Sequence, residues 1–300
     1  MWQSLFAHLT EGDPKALARS ISLVEAEAQG YRELMSALPP RPDSRIIGIT
    51  GPPGAGKSTL TDRLIGKLVD QGRRVGILCV DPSSPFNLGA VLGDRIRMSQ
   101  WYTHPSVFIR SLATRGAMGG LHPKIIEIAD LVRAAGYDTV IVETVGVGQS
   151  EIEIAGLADA TVVVLVPEAG DEVQTMKAGL MEIADIFVVN KSDRPDAAAF
   201  AKNLRLMLAP AFSAQDREIP IISAVASEGT GIDELAAAIE QRLAEPAFHE
   251  KKLWLLTERL YQLVQQDRMK DVDKNALRAT IQAAAAKGGV QLYRLVPRNE

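Results

Sequence analysis

The 300-residue chain has one cysteine, Cys79, and four histidines, His8, His104, His122 and His249. A single thiol excludes an internal disulfide and any cysteine-rich zinc or iron–sulfur site, and fits a reducing compartment. No apolar run approaches the ~20 residues that span a bilayer. The first residues, MWQSLFAHLTEGDPK, lack a basic start followed by a long apolar stretch and carry Glu11 and Asp13 early, which argues against a secretory signal or a transit peptide. A strong charge of either sign is missing too. Lys plus Arg is 33 and Asp plus Glu is 37, a net charge of −4, with no global pull toward nucleic acid or an anionic membrane. What is plentiful is apolar: 46% of the residues, enough for a core and too many for a disordered chain. The expectation is a bacterial-type cytoplasmic protein that binds neither nucleic acid nor membrane.

Three segments follow from the pattern. Residues 1–44 read as a helical extension, with Asp13-Pro14 as a helix start and Leu17, Ile21 and Val24 at helical spacing. The Pro-rich LPPRPDSR stretch, Leu38–Arg45, cannot continue a helix. From 45 to 244, short β-branched runs alternate with helical stretches: IIGIT, VGILCV, DTVIVE, TVVVLV, IFVVN and IPIISA. Runs without in-and-out alternation are strands covered on both faces, so an α/β fold with a mostly parallel sheet is predicted. Residues 245–300 read as helices, with Leu253, Leu256, Leu260 and Val264 on one stripe beside Trp254 and Tyr261. That stripe either packs on its own domain or forms a dimer arm.

The segment GITGPPGAGKST, Gly48–Thr59, carries the chemistry. It holds GxxxxGKS as Gly51, Gly56, Lys57 and Ser58, with Pro53, Gly54, Ala55 and Thr59 filling the turn and the helix start. Glycines let successive N–H groups curl around phosphate oxygens. Lys57 brings a point charge to the β- and γ-phosphates, and Ser58 offers a hydroxyl to Mg²⁺. The helix that follows favours anions at its N-terminus. The base is read elsewhere, at Asn190-Lys191-Ser192-Asp193 after IFVVN. The Asp193 carboxylate can accept from the guanine ring N–H and its exocyclic amine, whereas adenine would leave it unpaired. Lys191 can lay its stem over the base, and Asn190 can tie this turn to the phosphate loop. Ser223-Ala224 is placed where a backbone N–H would meet the guanine carbonyl. Glu143 ends the DTVIVE strand, and Gly146 can approach a γ-phosphate with its N–H, the layout of a switch. Val147 follows where small signalling GTPases usually carry a water-orienting Gln, which implies slow intrinsic hydrolysis or another residue in that role. Asp81 at a strand end and Asp94 in LGDRIRM, near Arg97, are further candidates for the Mg²⁺ shell or the hydrolytic water.

Taken together, GPPGAGKST, VDPSSP, LGDRIRM, FIRSLATRGAMGGL, ETVGVGQSE, VPEAGDEVQTMKAG and NKSD resemble the MeaB/ArgK family of P-loop GTPases. The resemblance implies a G domain with an N-terminal helical extension and a C-terminal helical dimerisation arm. It implies GTP hydrolysis to GDP with Mg²⁺, in a homodimer. It implies a chaperone of an adenosylcobalamin-dependent acyl-CoA mutase, such as methylmalonyl-CoA mutase, that gates cofactor loading from an adenosyltransferase and protects the mutase. Asp81, Asp94 and Glu143 then match acidic positions around Mg²⁺ and the water. Arg97 matches a basic residue of the first switch, and Asp171 and Lys177 a nucleotide-sensing pair in a third. Three other classes fit the residues less well. A metal-insertion GTPase needs clustered soft or imidazole ligands, and the histidines are scattered. A protein-targeting GTPase would show a basic tract. A non-catalytic nucleotide sensor would not need Lys57, Ser58, Asp81 and Glu143 together.

Overall fold

The computed structural model describes residues 2–81, 98–113, 121–144, 150–169, 183–215, 219–245, 250–270, 272–286 and 288–296. It divides into two compact units, Met1–Lys252 and Leu253–Glu300.

The first unit is built on seven parallel strands: β1 (Arg45–Thr50), β2 (Val75–Asp81), β3 (Val107–Ala113), β4 (Thr139–Glu143), β5 (Ala160–Leu165), β6 (Ile186–Val189) and β7 (Ile221–Ser223). Their order across the sheet is β3-β2-β4-β1-β5-β6-β7. The α/β expectation holds, and so do the six strands read from sequence. The seventh, β3, was not recognised as a strand. It lies at one edge of the sheet, and Arg110 and Ser111 in its middle interrupt the apolar run that betrays the others. The Arg110 guanidinium is paired with Glu25 of the N-terminal helices.

β1 sits at the centre, with Ile47 opposite Ile141 of β4 and Ala160 of β5. The strand order reverses on either side of it, and ligands of such sheets bind beyond the strands' carboxyl ends at that switch. Helix α4 (Lys57–Asp70) follows β1 and packs Leu60 and Leu64, both fully buried, into the same core as Ile49, Val162, Val164 and Phe187. Burying each leucine contributes about 2 kcal/mol. The remaining helices of this unit are α5 (Ile125–Ala134), α6 (Ser150–Leu157), α7 (Ala197–Gln215) and α8 (Ile232–Leu243), with the first turn of α9 (Glu250–Arg268). Lys252 on that turn is ion-paired with the buried Asp159.

The N-terminal helices α1 (Trp2–Thr10), α2 (Pro14–Glu25) and α3 (Tyr31–Ala37) belong to this unit as well. Asp13 caps α2, accepting from the Lys15 N–H at 2.9 Å, and Leu17, Ile21 and Val24 are fully buried as their spacing predicts. α2 is fastened to the sheet at Glu25. Arg110 Nη2 of β3 donates to Glu25 Oε2 at 2.7 Å, and His122 Nε2 lies 3.4 Å from Oε1. Burial pushes the Glu25 carboxyl up, but His122 and Arg110 outweigh it and hold it at about 2.

The second unit holds the rest of α9, α10 (Lys274–Ala286) and α11 (Leu292–Leu295). Met269, Val272, Leu277, Ile281, Leu292 and Val296 line an open apolar groove of about 430 Å³.

Candidate guanine-nucleotide site

The carboxyl ends of β1, β4, β6 and β7 bring the predicted phosphate and base residues into one cluster. After Thr50 the chain turns through Gly51 at φ 138° and Gly56 at φ 86°. Space as well as φ demands glycine here. A Cβ on Gly51 would stand 2.0 Å from Val164 O, and one on Gly56 2.3 Å from Asn190 Nδ2. Pro53 and Gly54 are exposed at the tip, while Ala55 is buried in the core. Gly56 caps α4 with no side-chain hydrogen bond, which leaves the helix N-terminus suited to an anion. Thr59 is half-buried in that turn.

Lys57 is 7% exposed and folds back over the loop, its Nζ donating to Gly51 O at 2.8 Å and Pro52 O at 3.0 Å. The amine therefore stands inside the curl of backbone that would hold phosphate. Beside it, Ser58 Oγ donates to Glu143 Oε1 at 2.6 Å. Thr61 Oγ1 lies 2.8 Å from Glu143 Oε2 and 2.9 Å from Lys57 O. Both neighbours are acceptors, so the single Thr61 proton is shared between them. Thr61 was not singled out from sequence. Its signal was available: it lies three residues after Ser58, on the same face of α4. Ser58 and Glu143 are 6% and 4% exposed. A buried hydroxyl beside a buried carboxylate is the hard-oxygen donor set that suits Mg²⁺. Thr144 Oγ1 and Thr50 Oγ1, 2.8 Å apart, tie the ends of β4 and β1 together behind this pair.

The base turn follows β6. Asn190 Nδ2 donates to Ala55 O at 2.8 Å, and Lys191 Nζ donates to Gly54 O at 2.8 Å. Both are ties to the phosphate loop, as the sequence reading expected of Asn190. Lys191 takes the left-handed conformation at φ 56°, which turns the chain so that Asp193 is presented at the surface. The Ser192 N–H donates to Ala224 O at 3.0 Å, joining this turn to the segment after β7. There one expectation is corrected. The Ala224 N–H, expected to face a guanine carbonyl, donates to Val189 O at 2.9 Å and extends the sheet. The Val225 and Ala226 N–H groups are engaged too, with Thr230 O and Asn190 Oδ1. Ser223 is the last residue of β7, exposed, and opposite Val189. Asp81 ends β2 opposite Ala113, at the same edge of the sheet. Asp94, Arg97, Gly146, Asp171 and Lys177 lie outside the described residues.

Comparison with known proteins agrees with this geometry. The family model described as methylmalonyl-CoA mutase-associated GTPase MeaB matches residues 17–279. A protein of Pyrococcus abyssi named as a GTPase is 48% identical over 248 residues, covering 80% of this chain and 76% of that one. A crystal structure of an LAO/AO transport system kinase superposes with a TM-score of 0.68 and 26% identity, over 98% of this chain and 94% of that one. Nickel-bound HypB from Helicobacter pylori shares the fold, at a TM-score of 0.52 and 15% identity over 78% of this chain and 98% of that one. The parallel sheet, the P-loop at its switch point and the sequence matches together place the chain in the MeaB family, and it is a P-loop GTPase.

Proposed function

We propose that this GTPase binds GTP at Gly51–Thr59 and at the Asn190–Asp193 turn, hydrolyses it, and acts as a nucleotide-dependent chaperone of an adenosylcobalamin-dependent acyl-CoA mutase, gating cofactor loading. The observation that supports the site most directly is the joining of Lys57, Ser58, Glu143 and Asn190 through short hydrogen bonds around one loop. In hydrolysis the loop's N–H groups and Lys57 hold the β- and γ-phosphates, the Lys57 amine exchanging the Gly51 and Pro52 carbonyls for phosphate oxygens. Ser58 and Glu143 are the residues that would hold Mg²⁺, which when bound neutralises charge on the phosphates. Glu143 has a second task. Its hydrogen bonds from Ser58 and Thr61 fix the start of α4 against the end of β4, so a change at the phosphate is felt at the carboxyl end of β4. Asp94, Arg97, Gly146, Asp171 and Lys177 are assigned to the switches on resemblance alone. The mutase client is inferred from the family's mutase association. A homodimer belongs to it as well. On the second unit Trp254, Leu260 and Tyr261 are 59%, 63% and 58% exposed, an apolar stripe that a second copy would cover.

Metal insertion is less well supported. Among the described residues no group of three or more His, Cys, Asp or Glu could hold a metal. Two of the histidines have local structural partners: His104 Nδ1 accepts from the Ser106 N–H, and His122 Nδ1 from the Lys124 N–H.

Two measurements test the proposal. Lys57→Ala is expected to lower GTP turnover at least a hundredfold, because the γ-phosphate loses its charge partner; wild-type turnover would remove the loop from the mechanism. The immobilised protein, loaded with GDP and then with a non-hydrolysable GTP analogue, is expected to retain methylmalonyl-CoA mutase or a related mutase differently in the two states. Equal retention, or none in either state, would refute the chaperone role.

A further inference from the structure

Arg63 lies on α4, beyond the phosphate loop, and belongs to none of the motifs. Its guanidinium nevertheless reaches the segment after β7. Nε donates to Ala226 O at 3.2 Å and Nη2 to Ser227 O at 2.7 Å. Ala226 is thereby gripped on both sides, because its N–H donates to Asn190 Oδ1 at 3.0 Å. The rest of this segment is closed on itself. Val225 bridges Thr230. Gly231 turns at φ 81°, where a Cβ would stand 2.4 Å from Ser223 O. Arg63 ties this segment to α4, the Lys67–Asp233 ion pair does so again just past Gly231, and Asn190 ties it to the phosphate loop through Ala55 O.

From this geometry we infer that Arg63 is a positioning residue for guanine recognition. Its guanidinium couples the helix that follows the phosphate grip to the carbonyls of the segment that backs the Asn190–Asp193 turn. The Ser192 N–H bond to Ala224 O passes that position on to Asp193. Two successive carbonyls need a planar fork of donors, which Arg has and Lys does not. A base turn already held in place needs less ordering when the nucleotide arrives, so the tie acts on affinity for the base. It does not touch the reacting phosphate. The inference rests on the proposed nucleotide site.

The test is the binding of GDP and ADP to wild type, Arg63→Ala and Arg63→Lys by calorimetry, with GTP turnover kinetics alongside. Arg63→Ala is expected to raise the GDP Kd about tenfold, a loss of about 1.4 kcal/mol, and to leave weak ADP binding where it was. The loss should appear in KM for GTP rather than in kcat. Arg63→Lys keeps the charge and one carbonyl bond and should fall between. Equal weakening of GDP and ADP would show that Arg63 acts on the phosphate helix, and an unchanged GDP Kd would show that the tie is idle; either result overturns the inference. Should Arg63→Ala not fold, Arg63→Lys alone decides, since an unchanged GDP/ADP ratio in it is equally fatal. A wild type that binds ADP as well as GDP would instead defeat the site reading itself.

Discussion

At the residue scale, two buried or part-buried acids are each held by more than one side chain. Glu143 accepts from Ser58 and Thr61, and Glu25 is held by Arg110 and His122. Glu25 makes a pH prediction. Arg110 and His122 hold its folded pKa at about 2, below the ordinary carboxylate value of about 4.5. Its stabilising effect is complete above the unfolded value and is lost as pH falls from about 4.5 to about 2. Glu25→Gln should therefore lower the thermal midpoint at pH 7 and shrink the difference from wild type as the pH drops through that window. A difference that is constant with pH would contradict this. The same scale shows what a sequence reader can see. Lys57, Ser58 and Asn190 were legible because their roles are tied to fixed spacings within short motifs. Arg63 was not, because its partners are backbone carbonyls far along the chain, and backbone carbonyls leave no trace in residue type. Ala224 misled for the same reason: the fate of its N–H depends on how far β7 runs alongside β6.

At the scale of elements, α4 is the organiser. One face enters the core through Leu60 and Leu64, its first turn faces the phosphate loop, and its flanks carry Asp62 and Arg63 in opposite service. Asp62 Oδ1 accepts from Trp101 Nε1 at 2.8 Å and from Gln100 Nε2 at 2.9 Å. The short 3-10 turn Ser99–Trp101 is thus pinned against the helix, with the Trp101 ring over Gly66 and the preceding Met98 fully buried. Asp62→Ala leaves a half-buried indole N–H without its acceptor, a cost of about 1–3 kcal/mol. Chemical denaturation should show that loss, and the Trp101 emission should shift to the red. An unchanged midpoint would mean water replaces the carboxylate without penalty. Of the elements, the apolar strands were plain from composition because both faces are covered. β3 was hidden because Arg110 and Ser111 break its apolar run.

For the whole molecule, the contrast is between a first unit with a closed core and a second whose large apolar side chains are widely exposed. The second unit's Leu253, Trp254, Leu260, Tyr261, Leu292 and Tyr293 are all exposed, more apolar surface than a lone helical segment ordinarily presents to water. If a second copy covers the α9 stripe, Leu260→Asp should convert the dimer into a monomer in sedimentation velocity, at concentrations where wild type is dimeric. A wild type that sediments as a monomer would rule the arm out. The sequence showed this stripe by its spacing, yet could not say what covers it, since a helix face looks alike whether its neighbour comes from the same chain or another.

The central position of β1 bears on how the protein is made. Its partners, β4 and β5, are encoded about a hundred residues downstream, so the nascent strand leaves the ribosome with both edges bare. At about 5–20 residues per second it waits on the order of ten seconds for its neighbours. During that interval the apolar strand, with the nucleotide loop attached, is exposed to misassociation, and translation speed between codons 50 and 165 becomes a determinant of yield.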